Sequence, residues 1–96
     1  MDDAAAAQVT KALGHPLRVK YLRALAQRRE LSPSEFSRES GEALGNVSYH
    51  VKALFDAGVL EVSSMVPRRG AMEHRYSLTG PRAKVSIKVM RLLAKS

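Results

Sequence analysis

Asn46, Ser48, Tyr49, His50 and Lys52 crowd into seven residues of chain, and their types suit edge-on recognition of base pairs. Asn46 pairs with adenine, Ser48 gives or takes a hydrogen bond, Tyr49 reaches a phosphate or a thymine methyl, and Lys52 meets guanine or phosphate. Gly45 just before them permits close approach of a helix start to a nucleic-acid backbone. A second set, Arg68 and Arg69, stands between Pro67 and Gly70, where paired guanidiniums enter a minor groove or clamp phosphates. Ser34 and Arg75 complete the expected DNA contacts. No Gly-rich phosphate loop, nucleophile elbow or paired-carboxylate arrangement occurs, so an enzyme is not expected. His15, His50 and His74 are scattered, with no i, i+4 pair and no carboxylate at ligand spacing, so neither a metal nor a cofactor is expected.

The elements that position these groups follow from periodicity. Residues 3–13 read as an alanine-rich helix, and Pro16 opens a second helix over 16–28. Val19, Leu22, Leu25 and Ala26 share one face of it, with Leu17 and Tyr21 on another. Ser32-Pro33-Ser34-Glu35 is a capping box with proline at the first helical position. It starts a short helix, a turn follows over 40–43, and a longer helix runs over 44–57. Leu44, Val47, Val51, Leu54 and Phe55 form its apolar side, and Gly58 is placed to end it. The period then changes to two over residues 59–66 and again over 72–78, which predicts a β-hairpin with a basic tip. A last helix is expected over 81–95. The order α-α-α-α-β-β-α is mainly helical with a small β-hairpin, a winged helix-turn-helix.

Ninety-six residues allow a single domain, taken as 1–96, with one modest core. The net charge is +7, and residues 67–96 hold eight basic residues against Glu73 alone. So strong an excess favours a polyanionic partner. The absence of cysteine excludes disulfides and thiolate chemistry and fits a reducing compartment. No apolar stretch approaches the ~20 residues that span a bilayer. With an acidic start, these features lead us to expect a cytoplasmic protein with no membrane contact.

The last helix is apolar on two sides. Val85, Val89 and Leu92 form one stripe, and Ile87, Met90 and Ala94 form the other. Its lysines and arginine prevent complete burial in so small a domain, so the second stripe is expected to meet a second copy of the chain. Val9, Leu13, Leu17 and Tyr21 are the expected partners on the first two helices.

The runs Lys11–Val19, Asn46–Leu54 and Ala57–Leu60 resemble the ArsR-type winged-helix repressors, and Pro67–Tyr76 is similar to the wing of a branch of that family that binds no metal. The resemblance covers roughly residues 9–79. It implies a homodimer that binds an inverted-repeat operator in double-stranded DNA and represses transcription, joined through its first and last helices. Residues 30–40 lack the cysteines, and residues 81–96 lack the Asp, Glu and His, with which other members bind metals. Metal sensing is therefore not carried over, and any small-molecule effector is not legible. The reading is a homodimeric repressor with helix 44–57 in the major groove and the 67–71 wing on the minor groove or backbone. The alternative is a winged helix that contacts another protein and binds nucleic acid only non-specifically.

Overall fold

The computed structural model describes residues 3–78 together with residues 87, 88 and 91. Four helices precede a hairpin: α1 (Asp3–Ala12), α2 (Pro16–Ala26), α3 (Pro33–Ser40), α4 (Leu44–Asp56), β1 (Glu61–Arg68) and β2 (Ala71–Ser77). Residues 87, 88 and 91 are helical, and the rest of the helix expected over 81–95 lies outside the described residues.

Local chemistry sets each boundary. Ser32 Oγ accepts from the Glu35 amide at 3.1 Å and Glu35 Oε1 accepts from the Ser32 amide at 3.4 Å, the reciprocal capping box expected at α3. Gly41 (φ 79°) and Gly58 (φ 80°) lie in the left-handed region just past α3 and α4, where a side chain is strained. At the end of α1, Arg18 donates from a terminal guanidinium nitrogen to the Ala12 carbonyl at 3.0 Å. That carbonyl has no partner within its own helix. In the hairpin, Arg69 (φ 44°) and Gly70 (φ 83°) both have positive φ between the paired residues Arg68 and Ala71. Two such residues make the tight turn whose twist matches antiparallel strands. A register shift between Val62 and Ser64 bends β1.

The core gathers Val9 and Leu13 near α1, Tyr21, Leu22 and Leu25 of α2, Phe36 of α3, and Val47, Val51 and Leu54 of α4, closed by Leu31, Val59 and Leu60. The face that α2 buries differs from the expected stripe: Tyr21 is fully buried while Ala26 is exposed and Val19 only half-buried. Tyr21 turns the helix toward Leu31 and Phe36. Its hydroxyl donates to the Leu31 carbonyl at 2.6 Å, and its ring meets Phe36 edge-on at 5.3 Å. Burial pushes its phenol well above the usual value.

This placement corrects part of the expected dimer surface. Val9, Leu13 and Tyr21 are sealed inside the protomer's own core and present nothing for a second chain to cover. Leu17 is half-buried against that core and Ile87 is exposed; Met90 and Ala94 lie outside the described residues. Leu44 and Phe55 also depart from expectation, being 49% and 42% exposed. The apolar arc of α4 is wider than the surface α2 and α3 offer it, and its edges stay in solvent.

Candidate nucleic-acid interface

α3, the three-residue turn 41–43 and α4 form the helix-turn-helix. α4 is pinned from below by Val47, Val51 and Leu54, each at most 1% exposed. Positions 45, 48, 49 and 52 follow the i, i+3, i+4, i+7 spacing and form one row opposite the pinned face. Gly45, Ser48, Tyr49 and Lys52 are all exposed, as is Asn46 at the row's edge. Tyr49 is 68% exposed, with its ring edge-on to that of His50 at 5.2 Å. Nothing lies within 4 Å of a Cβ placed on Gly45, so the start of the helix is open to an approaching surface. Lys52 Nζ lies 3.0 Å from Asp56 on the next turn, an exposed pair that a phosphate displaces at little cost.

His50 faces inward at the flank. Its Nδ1 accepts from Arg18 Nε at 2.9 Å, and its ring stands 5.2 Å from that of His15. Desolvation, then the Arg18 and His15 charges, hold its pKa below the usual histidine value. His50 therefore anchors α4 to α2 rather than extending the exposed row. The two histidines that sequence spacing kept apart are neighbours, brought together across 35 positions by the packing of α2 on α4. Among the described residues no three potential metal ligands cluster.

The hairpin stands beside α4, with a groove of about 900 Å³ between them. Ser48, Lys52, Leu44 and Phe55 line one wall, and Arg68, Met72 and Val62 line the other. Arg68 and Arg69 are exposed at the tip, as expected for groove or backbone contacts. Arg38 of α3 also reaches this groove and escaped the sequence reading; as a basic residue in the last turn of a short helix it carried no distinguishing signal.

Two expected contacts take a different role. Arg75 is 26% exposed and surrounded by carboxylates: Glu30 at 3.3 Å, Glu73 at 3.6 Å and Glu35 at 3.8 Å. A guanidinium so neutralised has little left to offer a phosphate. Ser34 is half-buried and donates a short hydrogen bond to Glu73. Both residues hold the hairpin to the body instead of facing outward. Glu30 and Glu73, which organise this network, were missed. The alternation of Glu73 and Arg75 on one side of β2 was the available signal.

A family profile described as a helix-turn-helix domain matches residues 13–63, more than half of the chain. The chain belongs to this helix-turn-helix family. Its likeness to solved structures extends beyond the matched segment to the wing. A homodimeric winged helix-turn-helix DNA-binding domain from Mycobacterium bovis, a possible ArsR-family transcriptional regulator, superposes with a TM-score of 0.71 at 24% identity, over 99% of this chain and 88% of that one. The Mycobacterium tuberculosis protein Rv0081 gives 0.65 at 31% identity, over 93% and 85%. The transcriptional repressor BigR from Xylella fastidiosa gives 0.65 at 26%, over 93% and 79%. No curated protein sequence matches. The fold of this helix-turn-helix protein is thus that of winged-helix DNA-binding regulators, and its exposed α4 row occupies the recognition-helix position.

Proposed function

We propose that the protein is a homodimeric, sequence-specific regulator of transcription that binds double-stranded DNA, most simply as a repressor, without catalytic activity. The observation that carries this reading is the row Gly45, Ser48, Tyr49 and Lys52, solvent-facing on a helix whose opposite side is fully buried. α4 lies in the major groove, where Asn46, Ser48 and Tyr49 meet base edges and Lys52 meets a phosphate or guanine. The tip arginines Arg68 and Arg69 reach the minor groove or the backbone beyond. The +7 charge supplies the sequence-independent attraction.

A dimer is supported by the homodimeric Mycobacterium bovis relative, and repression by the BigR likeness. The two-fold brings two recognition helices onto half-sites of an inverted repeat roughly 34–36 Å apart. After loss of Val9, Leu13 and Tyr21 to the core, the dimer contact falls to Leu17, Ile87, Met90 and Ala94. Among the described residues no helix is long and apolar enough to cross a membrane, and a cytoplasmic site of action accords with that.

A second reading has one observation in its favour. Leu44, Phe55, Val62 and Met72, all well exposed, gather in the groove beside α4, as in an interface for another protein. Selection of binding sites from a random duplex pool at near-physiological salt, with sizing of the bound species, separates the two. Enrichment of an inverted repeat bound by a dimer is the expected result. Binding without enrichment that vanishes as salt rises overturns specific regulation in favour of the protein-contact reading.

A further inference from the structure

We propose that Glu73 is the positioning residue of the wing, fixing the arginine tip relative to the recognition helix by seating its carboxylate at the N-terminus of α3. The consequence for DNA binding rests on the function proposed above; the positioning itself does not.

The hairpin touches the body at its base. There the Leu31 amide donates to the Tyr76 carbonyl at 3.0 Å, and the Tyr76 amide donates to the Leu31 carbonyl at 3.1 Å. Tyr76 also lays its ring against Phe55 at 5.9 Å. Beyond this point, toward the tip, the strands have no apolar seat: Met65 is 54% and Met72 49% exposed. A two-stranded ribbon attached only at its base is free to rock. Glu73 lies three residues further out along β2 and is the point where the outer half is tied down. Its side chain is 11% exposed. Oε1 accepts from Ser32 Oγ at 3.2 Å and from Ser34 Oγ, both in the capping turn of α3. The partial positive charge of that helix end adds to the attraction.

The other carboxylate oxygen faces back into the hairpin, 3.5 Å from Arg68 Nε and 3.6 Å from Arg75 Nε. Glu73 thus joins three things in one place: the α3 start, the β2 strand and an arginine of the tip. The groups around it are Arg68 from β1, Arg75 from β2, Glu35 from α3 and Glu30 from the loop before α3. Arg75 keeps the three acids from repelling one another. Since α3 packs directly on α4, a hairpin fixed to α3 is fixed relative to the recognition row.

The test begins with the free protein. Backbone 15N relaxation of residues 66–72 in wild type should match that of α4. In Glu73→Ala the heteronuclear NOE of those residues should fall while residues 16–56 keep theirs. Glu73→Gln, which retains the acceptor oxygen and loses the charge, should fall less. A tip as rigid in Glu73→Ala as in wild type overturns the proposal. Should Glu73→Ala lose its fold, Glu73→Gln and Ser34→Ala carry the same comparison, and unchanged tip relaxation in both overturns it.

On a selected operator, Glu73→Ala should weaken binding by the same factor as R68A/R69A, and the triple variant should be no weaker than R68A/R69A. Independent, multiplicative losses would mean that Glu73 does not act through the tip, and would overturn its positioning role. If wild type selects no operator, the proposed function fails, while the relaxation comparison still decides the positioning.

Discussion

α4 and the hairpin face one another across the same groove, yet different forces hold them in place. α4 is fastened by apolar burial: Val47, Val51 and Leu54 vanish into the core. The outer hairpin is fastened by charge and hydroxyl contacts through Glu73, Arg75 and Glu30. Apolar burial is little affected by moderate salt, whereas ion pairs within reach of solvent weaken as salt rises. The element expected to read sequence is therefore the one whose seat is least sensitive to salt. The element expected to add sequence-independent affinity is the one whose placement responds to salt.

The largest effect that tests this contrast is on stability. Leu54→Ala should cost about 2–5 kcal/mol, because a fully buried side chain leaves a cavity beneath α4. In a domain of this size each kcal/mol lowers the melting temperature by roughly 4–8 °C, so the loss is evident in a thermal scan. Met72→Ala on the hairpin should stay within about 0.5 kcal/mol of wild type. Equal losses would erase the distinction between the two anchors.

Next in size are effects on base recognition. Asn46→Ala and Tyr49→Ala remove exposed side chains, so folding should be unaffected while sequence preference changes. Each lost base contact should cost roughly 1–3 kcal/mol on the selected site and far less on random duplex. A uniform loss on all sequences would assign these residues to the backbone instead. Arg68→Ala with Arg69→Ala should produce that uniform loss, with the salt slope flattened by about 0.9 for each phosphate released. An unchanged slope in a competition titration across salt would remove the wing from the mechanism.

Much of this architecture was legible in the residues. The capping box at Ser32 and Glu35, the stop at Gly58 and a turn within 67–71 are local events, each governed by chemistry within a few positions, although pairing of Pro67 and Arg68 with Met72 and Ala71 narrows that turn to Arg69 and Gly70. The α4 row was legible because helical spacing alone places Tyr49 opposite Val47 and Val51. What failed depended on distant partners. Tyr21 and Leu13 looked like surface for a second chain because periodicity reports that a face is apolar and not which neighbour covers it. Arg75 looked like a DNA contact because its charge is plain in the sequence, while the acids around it come from positions 30, 35 and 73. Leu44 and Phe55 looked buried because their face was correct; the exposed edge emerges only once α2 and α3 are in place.

The smallest predicted effect concerns a titratable tie on the apolar side of the comparison, between α4 and α2. His50 Nδ1 accepts from Arg18 Nε, which requires a neutral ring carrying its proton on Nε2. Arg18 is held in turn by the Ala12 carbonyl, and His15 stands against the same ring. Burial disfavours the protonated ring and the Arg18 and His15 charges oppose it further, so the His50 pKa lies below the ordinary value in the folded state. As pH falls through roughly 6.5 the unfolded chain takes up the proton first, and folding loses stability until the folded-state value is passed. Wild type should therefore lose melting temperature relative to His50→Gln as pH falls through the ordinary histidine value, since glutamine keeps an acceptor and does not titrate. Parallel curves would mean that the α2–α4 tie does not depend on a neutral ring. Glu73 behaves in the same sense but in a lower window. Its pKa is depressed chiefly by the Ser34 hydrogen bond, so its contribution is complete above the ordinary carboxylate value and is lost only as pH falls through the still lower folded one. Acidification should thus loosen the helix contact first and the wing afterwards, which inverts the order in which added salt acts on them.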